Sequence, residues 1–348
     1  MLTYKHKVKE NKMEKKKIVS GMRTTGKLHL GHYMGVLTNW VDLQEDYDCY
    51  FFAADWHALT TKYDKTENLK SDTREVVMDW LASGLDPNKS TIYVQSMLPQ
   101  TAELHIYLSM ITPQNWVERD PTLKDMSKII RGDGSGAKTD TISYGLLGYP
   151  VLMSADILTF NADVVPVGHD QLAHLEITRD IARRFNNIYK TDFFKEPAPK
   201  LTQVPLLCGV DGQKMGKSFN NDIKISDTEE ITTQKIMKCI TDRSRVRKDD
   251  KGHPEQCEVA FKYYQIFANE EETKCCAQEC SAGTRGCADC KRNLAKIINE
   301  KFAPIREKRL ELAKDPTLVD DILRAGAKKA QLEAQKNIEK IREIINIY

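Results

Sequence analysis

Lys17-Ile18-Val19-Ser20-Gly21-Met22-Arg23-Thr24-Thr25-Gly26-Lys27-Leu28-His29-Leu30-Gly31-His32-Tyr33 reads as a short β-rich run that passes straight into a glycine-bearing turn and then a helix. A strand ending this way prepares a seat for phosphate. Glycines allow close backbone approach, and the helix N-terminus offers N–H groups and partial positive charge. His29 and His32, three residues apart, stand on one face of the first helical turn. A glycine turn alone is weak evidence and a lone histidine is more often a satisfied structural residue. The pairing HxGH directly after a strand is much stronger.

Further β-rich runs recur at Asp48 to Ala54, Thr91 to Val94 and Val164 to Val167, separated by helical patterns. That alternation predicts an α/β fold, a doubly wound parallel sheet. Tyr33, Leu37, Trp40 and Leu43 mark one helix face at spacings of four, three and three, and Val77, Trp80 and Leu81 mark another; both are expected in the core. About Asn115 to Gly136 the chain is polar, charged and glycine-bearing, as an insertion or mobile connection would be. Beyond about Asn221 strand signals vanish and a Lys/Glu-rich helical pattern takes over, with Ile338, Ile341 and Ile345 on one stripe. The expected organisation is a basic tail over 1–17, a sheet domain over 18–220 and a mostly helical domain over 221–348.

At 348 residues two cores are the soft expectation, although one domain with a large appendage is also possible. The composition is 41% hydrophobic and 29% charged with a net charge of +2, and no apolar run is long enough to cross a bilayer. No membrane partner is therefore expected. Near-neutral charge gives no global nucleic-acid signature, so a nucleic-acid face must come from local patches, and DNA is not an expected partner. Met1 to Lys17 holds seven lysines and two glutamates without the apolar core of a secretory signal; it reads as a solvated tail, with an overcalled start before Met13 and basic RNA contact as alternatives. With no such signal the expected compartment is the reducing cytoplasm.

The second chemical element is Lys214-Met215-Gly216-Lys217-Ser218, preceded by the turn Asp211-Gly212-Gln213. Two lysines on such a loop can fold over a polyphosphate and neutralise charge as it develops, although alone the stretch reads equally well as a solvated basic loop. Together, His29-Leu30-Gly31-His32 and Lys214-Met215-Gly216-Lys217-Ser218 resemble the HIGH and KMSKS signatures of class I aminoacyl-tRNA synthetases. The resemblance implies a Rossmann-like catalytic domain and an anticodon-binding helical domain. It also implies attack of an amino-acid carboxylate on the α-phosphorus of ATP, with Mg²⁺, followed by transfer to the 3′ end of tRNA. Neither step needs a nucleophilic side chain; positioning and stabilisation of phosphate charge do the work, with His29, His32, Lys214 and Lys217 as the catalytic set. Two positions depart from the family pattern. Thr24 stands where proline is common, and Gly216 replaces a loop serine; neither removes a charge.

Tyr149-Pro150-Val151-Leu152-Met153-Ser154-Ala155-Asp156-Ile157-Leu158, then Asp163 through Gln171, is similar to the tryptophan- and tyrosine-specific subgroup and, within it, to the tryptophan enzymes. Asp55 to Thr61 and Thr178 to Asn186 match the same subgroup. The residues agree on their own terms. Tyr149, Met153 and Asp156 share one helix face, presenting an aromatic wall, a soft filler and a single acceptor, which suits an indole with one N–H. The resemblance assigns Asp156 to the indole N–H, Tyr149 and Gln171 to the amino group, and Met153 with His57 to the ring. An analogue that cannot donate would leave Asp156 unpaired, enough for discrimination on the order of 10⁴. For ATP it assigns Arg23, Thr24, Thr25, Gly31 and His32 to the phosphates, and Gly168, His169 and Asp170 to the ribose. The main chain near Leu206 goes to adenine, and Lys214, Met215, Gly216, Lys217 and Ser218 form the loop. Relatives of this kind are homodimers acting on tRNA(Trp), L-tryptophan and ATP.

Six of nine cysteines fall between Cys257 and Cys290, which favours a metal over disulfides. Cys257, Cys280, Cys287 and Cys290 are separated by 22, 6 and 2 residues. Spacing alone favours structural zinc. Some bacterial tryptophan enzymes carry the same spacing around a [4Fe-4S] cluster, and that resemblance turns the expectation to iron-sulfur. Cys275 and Cys276 complicate the count, and Cys49, Cys208 and Cys239 read as ordinary buried thiols. Arg243, Arg245, Arg247 and Lys248 form the best local basic patch for RNA phosphates, although most charge runs are simply solvated. Competing readings are a nucleotidyl transferase that uses HxGH without tRNA, an inactive metal-bearing RNA-binding protein, and tyrosine in place of tryptophan.

Overall fold

The computed structural model describes residues 15–119, 142–201 and 207–348; most of the expected insertion, the first fourteen residues, Leu206, and the side chains of Asp170 and Ser218 lie outside the described residues. The sheet is built from β1 (Lys17–Arg23), β2 (Asp48–Ala54), β3 (Ser90–Val94), β4 (Val164–Val167) and β5 (Ala198–Leu201), in the order β3-β2-β1-β4-β5. Every pairing is parallel. Helices cover both faces, so β2 and β3 are apolar and buried along almost their whole length. The chain winds outward from β1 through β2 to β3, then crosses back to β4 beside β1. Order reverses there, and a crevice opens at the carboxyl ends of the two strands.

The four β-rich runs became strands. β5, which was not anticipated, is an edge strand of Ala198-Pro199-Lys200-Leu201 with largely exposed side chains. It lacks the alternation of a half-buried strand, and proline and lysine are tolerated because an edge need not complete a ladder.

Leu37, Trp40, Leu43, Val77, Trp80 and Leu81 are buried as their spacing requires. The Trp40 ring stacks on Phe51 at 4.4 Å and meets Trp80 edge-on at 5.1 Å. Tyr33 is only half-buried. The helix Leu30–His32 continues through a π-helical stretch, Tyr33–Leu37, into Thr38–Asp46, and the wider turn shifts the phase of the face.

Beyond β5 no further strand forms among the described residues, and the long elements are helices: Glu229–Met237, Ala260–Phe267, Glu270–Ala282, Cys287–Ala313 and Leu318–Ile345. They share a core with the sheet region. One apolar cluster runs from Ile18 and Trp40 through Ile223 to Tyr263, Ile298 and Phe302, and the Phe302 ring sits edge-on to Tyr33 at 4.9 Å. Helix Leu318–Ile345 returns to lie across β3. A Cβ on Gly326 would come within 1.9 Å of the Ile92 carbonyl oxygen, so glycine is what permits this approach. Ala327, Ala330 and Ala334 continue the contact; of the stripe marked out in the sequence, Ile338 and Ile341 are fully buried, while Ile345, in the last turn of the helix, is half-buried. Among the described residues, no helix is long and apolar enough to cross a membrane.

Candidate active site

A cavity of about 300 Å³ occupies the crevice between β1 and β4. Arg23, His57, Tyr149, Met153, Asp156, Gly168 and Gln171, drawn from four separate segments, all line it. Tyr149, Met153 and Asp156 sit on helix Tyr149–Thr159, one turn apart on one face, as their spacing requires. His57 enters from helix Asp55–Lys62, which starts directly after β2.

Asp156 is 2% exposed, and burial raises its pKa above the ordinary carboxyl value, a shift opposed by hydrogen bonds from His57 and Gln95. The His57 Nε2 lies 2.9 Å from Asp156 Oδ2. Gln95 Nε2 donates to both carboxylate oxygens, at 2.8 and 2.9 Å, while its own Oε1 accepts the His57 backbone N–H at 3.3 Å. The three residues form a closed ring that fixes the carboxylate. Gln95 was not singled out in the sequence, because nothing local marks a glutamine whose partner is 61 residues away. On the same helix as Asp156, the Tyr149 hydroxyl is hydrogen-bonded to buried His174 Nε2, so His174 is a second residue that sequence reasoning missed.

His29, His32 and the lysine loop lie outside this lining and form a neighbouring structure. His29 caps the helix. The backbone N–H of His32 donates to His29 Nδ1 at 3.3 Å, the N–H of His29 reaches His32 Nδ1 at 3.4 Å, and the rings lie 3.7 Å apart. Withdrawal from water lowers the pKa of His29 to about 4 and of His32 to about 3, with the charge of Lys217 adding to both shifts. Both rings are neutral near pH 7. They can donate and accept hydrogen bonds without competing with cations for phosphate. Gly26, at φ +85°, makes the turn before them, a conformation that a side chain would strain.

Lys217 ties the two motifs together. Its Nζ donates to the carbonyl oxygens of Thr25 and Gly26 at 2.9 and 2.6 Å, and burial lowers its pKa to about 8. Lys214 is exposed, whereas Met215 is buried and roots the loop in the core. Asn221, also missed in the sequence, holds the loop's shape: its Oδ1 accepts the Gly216 N–H at 2.9 Å, and its Nδ2 donates to Asp211 Oδ1 and to the Lys214 carbonyl. Thr24 is fully buried, and its Oγ1, like Arg23 Nε, has no hydrogen-bond partner among the described residues. Two donors buried beside a helix N-terminus and two lysines suit a phosphate chain.

Among the described residues, one pair of cysteines in the helical region is in contact, and it includes Cys276 from outside the expected quartet. Cys276 Sγ lies 3.6 Å from Cys290 Sγ, Arg245 Nη1 approaches Cys280 Sγ and Cys287 Sγ at 3.8 and 4.0 Å, and the Phe261 N–H donates to Cys257 Sγ at 3.4 Å. Among the described residues no three His, Cys, Asp or Glu side chains are arranged to hold a single metal ion. Cys49 and Cys239 are buried, as expected of ordinary thiols; Cys208 is only half-buried, its thiol directed at the Glu258 carbonyl.

A doubly wound sheet with a lysine loop latched onto an HxGH turn is the catalytic architecture of a class I synthetase. The family model for class I tRNA synthetases (W and Y) matches residues 11–303, and the chain belongs to this family. The tryptophan–tRNA ligase of Thermotoga maritima is 46% identical over 95% of this chain and 99% of its own length. That of Aquifex aeolicus is 41% identical over 95% of this chain and its full length. A Campylobacter jejuni tryptophanyl-tRNA synthetase, solved in complex with ADP and tryptophan, superposes with a TM-score of 0.85 at 35% identity, covering 95% of this chain and all of that one.

Proposed function

We infer that this chain is a tryptophan–tRNA ligase. It activates L-tryptophan with ATP to tryptophanyl-adenylate and pyrophosphate, then transfers the tryptophan to the 3′ end of tRNA(Trp). The observation that carries the specificity is Asp156, a single buried carboxylate fixed by His57 and Gln95 in a cavity that is otherwise mostly apolar. Asp156 accepts the indole N–H, Met153 and His57 line the ring, and Tyr149 and Gln171 receive the amino group. That leaves the substrate carboxylate facing β1 and the HxGH turn. ATP, with Mg²⁺, lies with its phosphates against Arg23, Thr24, Thr25, Gly31 and His32, and with its ribose near Gly168, His169 and Asp170. The orphan donors of Thr24 and Arg23 support this placement. Lys214 and Lys217 close over the phosphates, Lys217 exchanging its two carbonyl partners for phosphate oxygens as charge develops. Adenine rests on the main chain near Leu206.

The test is amino-acid-dependent pyrophosphate exchange, followed by charging of tRNA(Trp). Exchange with tryptophan and no other amino acid is the expected result. Absence of exchange with any amino acid would sink the reading, and exchange with tyrosine alone would overturn the pocket assignment.

The helical region 221–348 is the anticodon-binding unit of a cytoplasmic homodimer, with exposed Arg243, Arg247 and Lys248 as its phosphate patch; Arg245, expected in that patch, turns its guanidinium to the thiols and to the Lys248 carbonyl instead. Cys257, Cys280, Cys287 and Cys290 hold a [4Fe-4S] cluster, with structural zinc as the alternative. What supports this reading is the set of donors aimed at three of these sulfurs, Arg245 at Cys280 and Cys287 and the Phe261 N–H at Cys257, which would favour thiolates. When bound, the cluster supplies a covalent staple between helices and the capacity to take up one electron. Protein purified without oxygen is expected to be brown with about four irons per chain; one zinc per chain would reject iron-sulfur.

A further inference from the structure

Helix Leu69–Ala82 presents Asp79, fully buried, to the turn that carries HxGH. Asp79 Oδ2 accepts the backbone N–H of Leu28, the residue before His29, at 2.7 Å. Its other oxygen accepts from Arg309 Nη1, and the same guanidinium binds the Glu75 carboxylate and, at 3.2 Å, the Glu75 carbonyl. Arg309 is 9% exposed and belongs to helix Cys287–Ala313, whose first turn carries Cys287 and Cys290.

The opposite edge of the turn is held as well. Leu28 O accepts from Ile225 N at 3.0 Å, and Leu30 N donates to Ile223 O at 2.9 Å. The helix that follows this segment, Glu229–Met237, is bound by Asn299 and Arg306 of that same long helix, through Glu229 O, Thr233 and Thr232. The main chain around His29 is therefore gripped from two sides by groups that share one anchor.

We propose that Asp79 is a positioning residue for adenylate formation: with Arg309 it sets the height of the HxGH turn, and helix Cys287–Ala313 thereby registers the cysteine-bearing region against the phosphate seat. The proposal rests on the synthetase reading. A carboxylate buried to this depth needs a partner, and Arg309 is the one in contact, so the pair acts as a unit. Its lever is the main chain: displacing the Leu28 N–H by a fraction of an ångström moves His29, Gly31 and His32 with it, and misplacement of about 1 Å can cost about 100-fold in rate.

Asp79→Asn retains an acceptor for Leu28 but sets an amide N–H₂ against Arg309, and Arg309→Lys keeps the charge but loses the fork. Both are expected to lower kcat for tryptophan-dependent pyrophosphate exchange by about 10- to 100-fold. Tryptophan binding, measured by equilibrium dialysis, should stay within about twofold of wild type, because the indole pocket lies on other elements. The double variant Asp79→Asn with Arg309→Lys should be no worse than the less active of the two single variants, as expected of residues that act as one unit. Should Asp79→Asn fail to fold, Arg309→Lys decides alone. Unchanged exchange in the folded variants, or exchange and tryptophan binding falling together, overturns the proposal. Wild-type protein without any tryptophan-dependent exchange refutes the synthetase reading instead.

Discussion

Lys217 is where charge and position meet. Its pKa of about 8 lies below the ordinary value because burial disfavours the ammonium. Since kcat/KM reports the free enzyme, kcat/KM for ATP should fall as pH rises through about 8, and this limb should move beyond the measurable range in Lys217→Arg. A flat profile to pH 9 would contradict the role given to this residue. Stability moves the other way. Between about 8 and the unfolded value of 10.5 the unfolded chain binds more protons at this site than the folded one, so the Lys217 contribution to stability rises with pH over that window. Asp156 offers a second test at this scale. A hydrogen bond to a charged acceptor is worth about 1.5–3 kcal/mol, so Asp156→Ala should raise KM for tryptophan about 10- to 150-fold and leave KM for ATP nearly unchanged. Equal losses for both substrates would mean that the residue supports the fold. Asp156 could be found in the sequence because its helical neighbours Tyr149 and Met153 share its face. Gln95 and Asp79 could not, since each acts on a partner 61 or 51 residues distant and no local pattern encodes such a meeting.

Among elements, those with strong internal period were legible. β1 to β4 follow from β-branched and aromatic runs, and the burial of Trp40 and Trp80 from helical spacing. β5 was not, because an edge strand asks little of its sequence beyond an extended backbone. The seating of helix Leu318–Ile345 was legible only in part: its apolar stripe announces a buried face but not the surface it meets. Gly326 is the tightest point of that contact. Gly326→Ala would drive a methyl group into the Ile92 carbonyl, at a cost at or beyond the upper end of the roughly 1–3 kcal/mol usual for overpacking. A urea titration would show it as a lower midpoint with the slope unchanged; an unaltered midpoint would mean that helix and strand can slide apart freely.

Over the whole molecule, the sequence suggests a division near residue 220, yet side chains from both halves enter one apolar cluster. The change from α/β to helical pattern is real, but it marks a change of secondary structure within a shared interior. Ending the chain after Ala313 should therefore cost more than a peripheral helix. It would bare β3 and its neighbours, and the product is expected to aggregate and to lack exchange activity. A soluble truncated protein with normal exchange would show that the sheet closes without that helix. The same geometry bears on how the chain is made. β1, β2 and β3 leave the ribosome early, but the helix that covers β3 emerges more than two hundred residues later. Until helix Leu318–Ile345 has been made, the nascent sheet presents an apolar strand without its native cover, so the native fold cannot close on the early strands alone and that strand is exposed to misassociation in the interval.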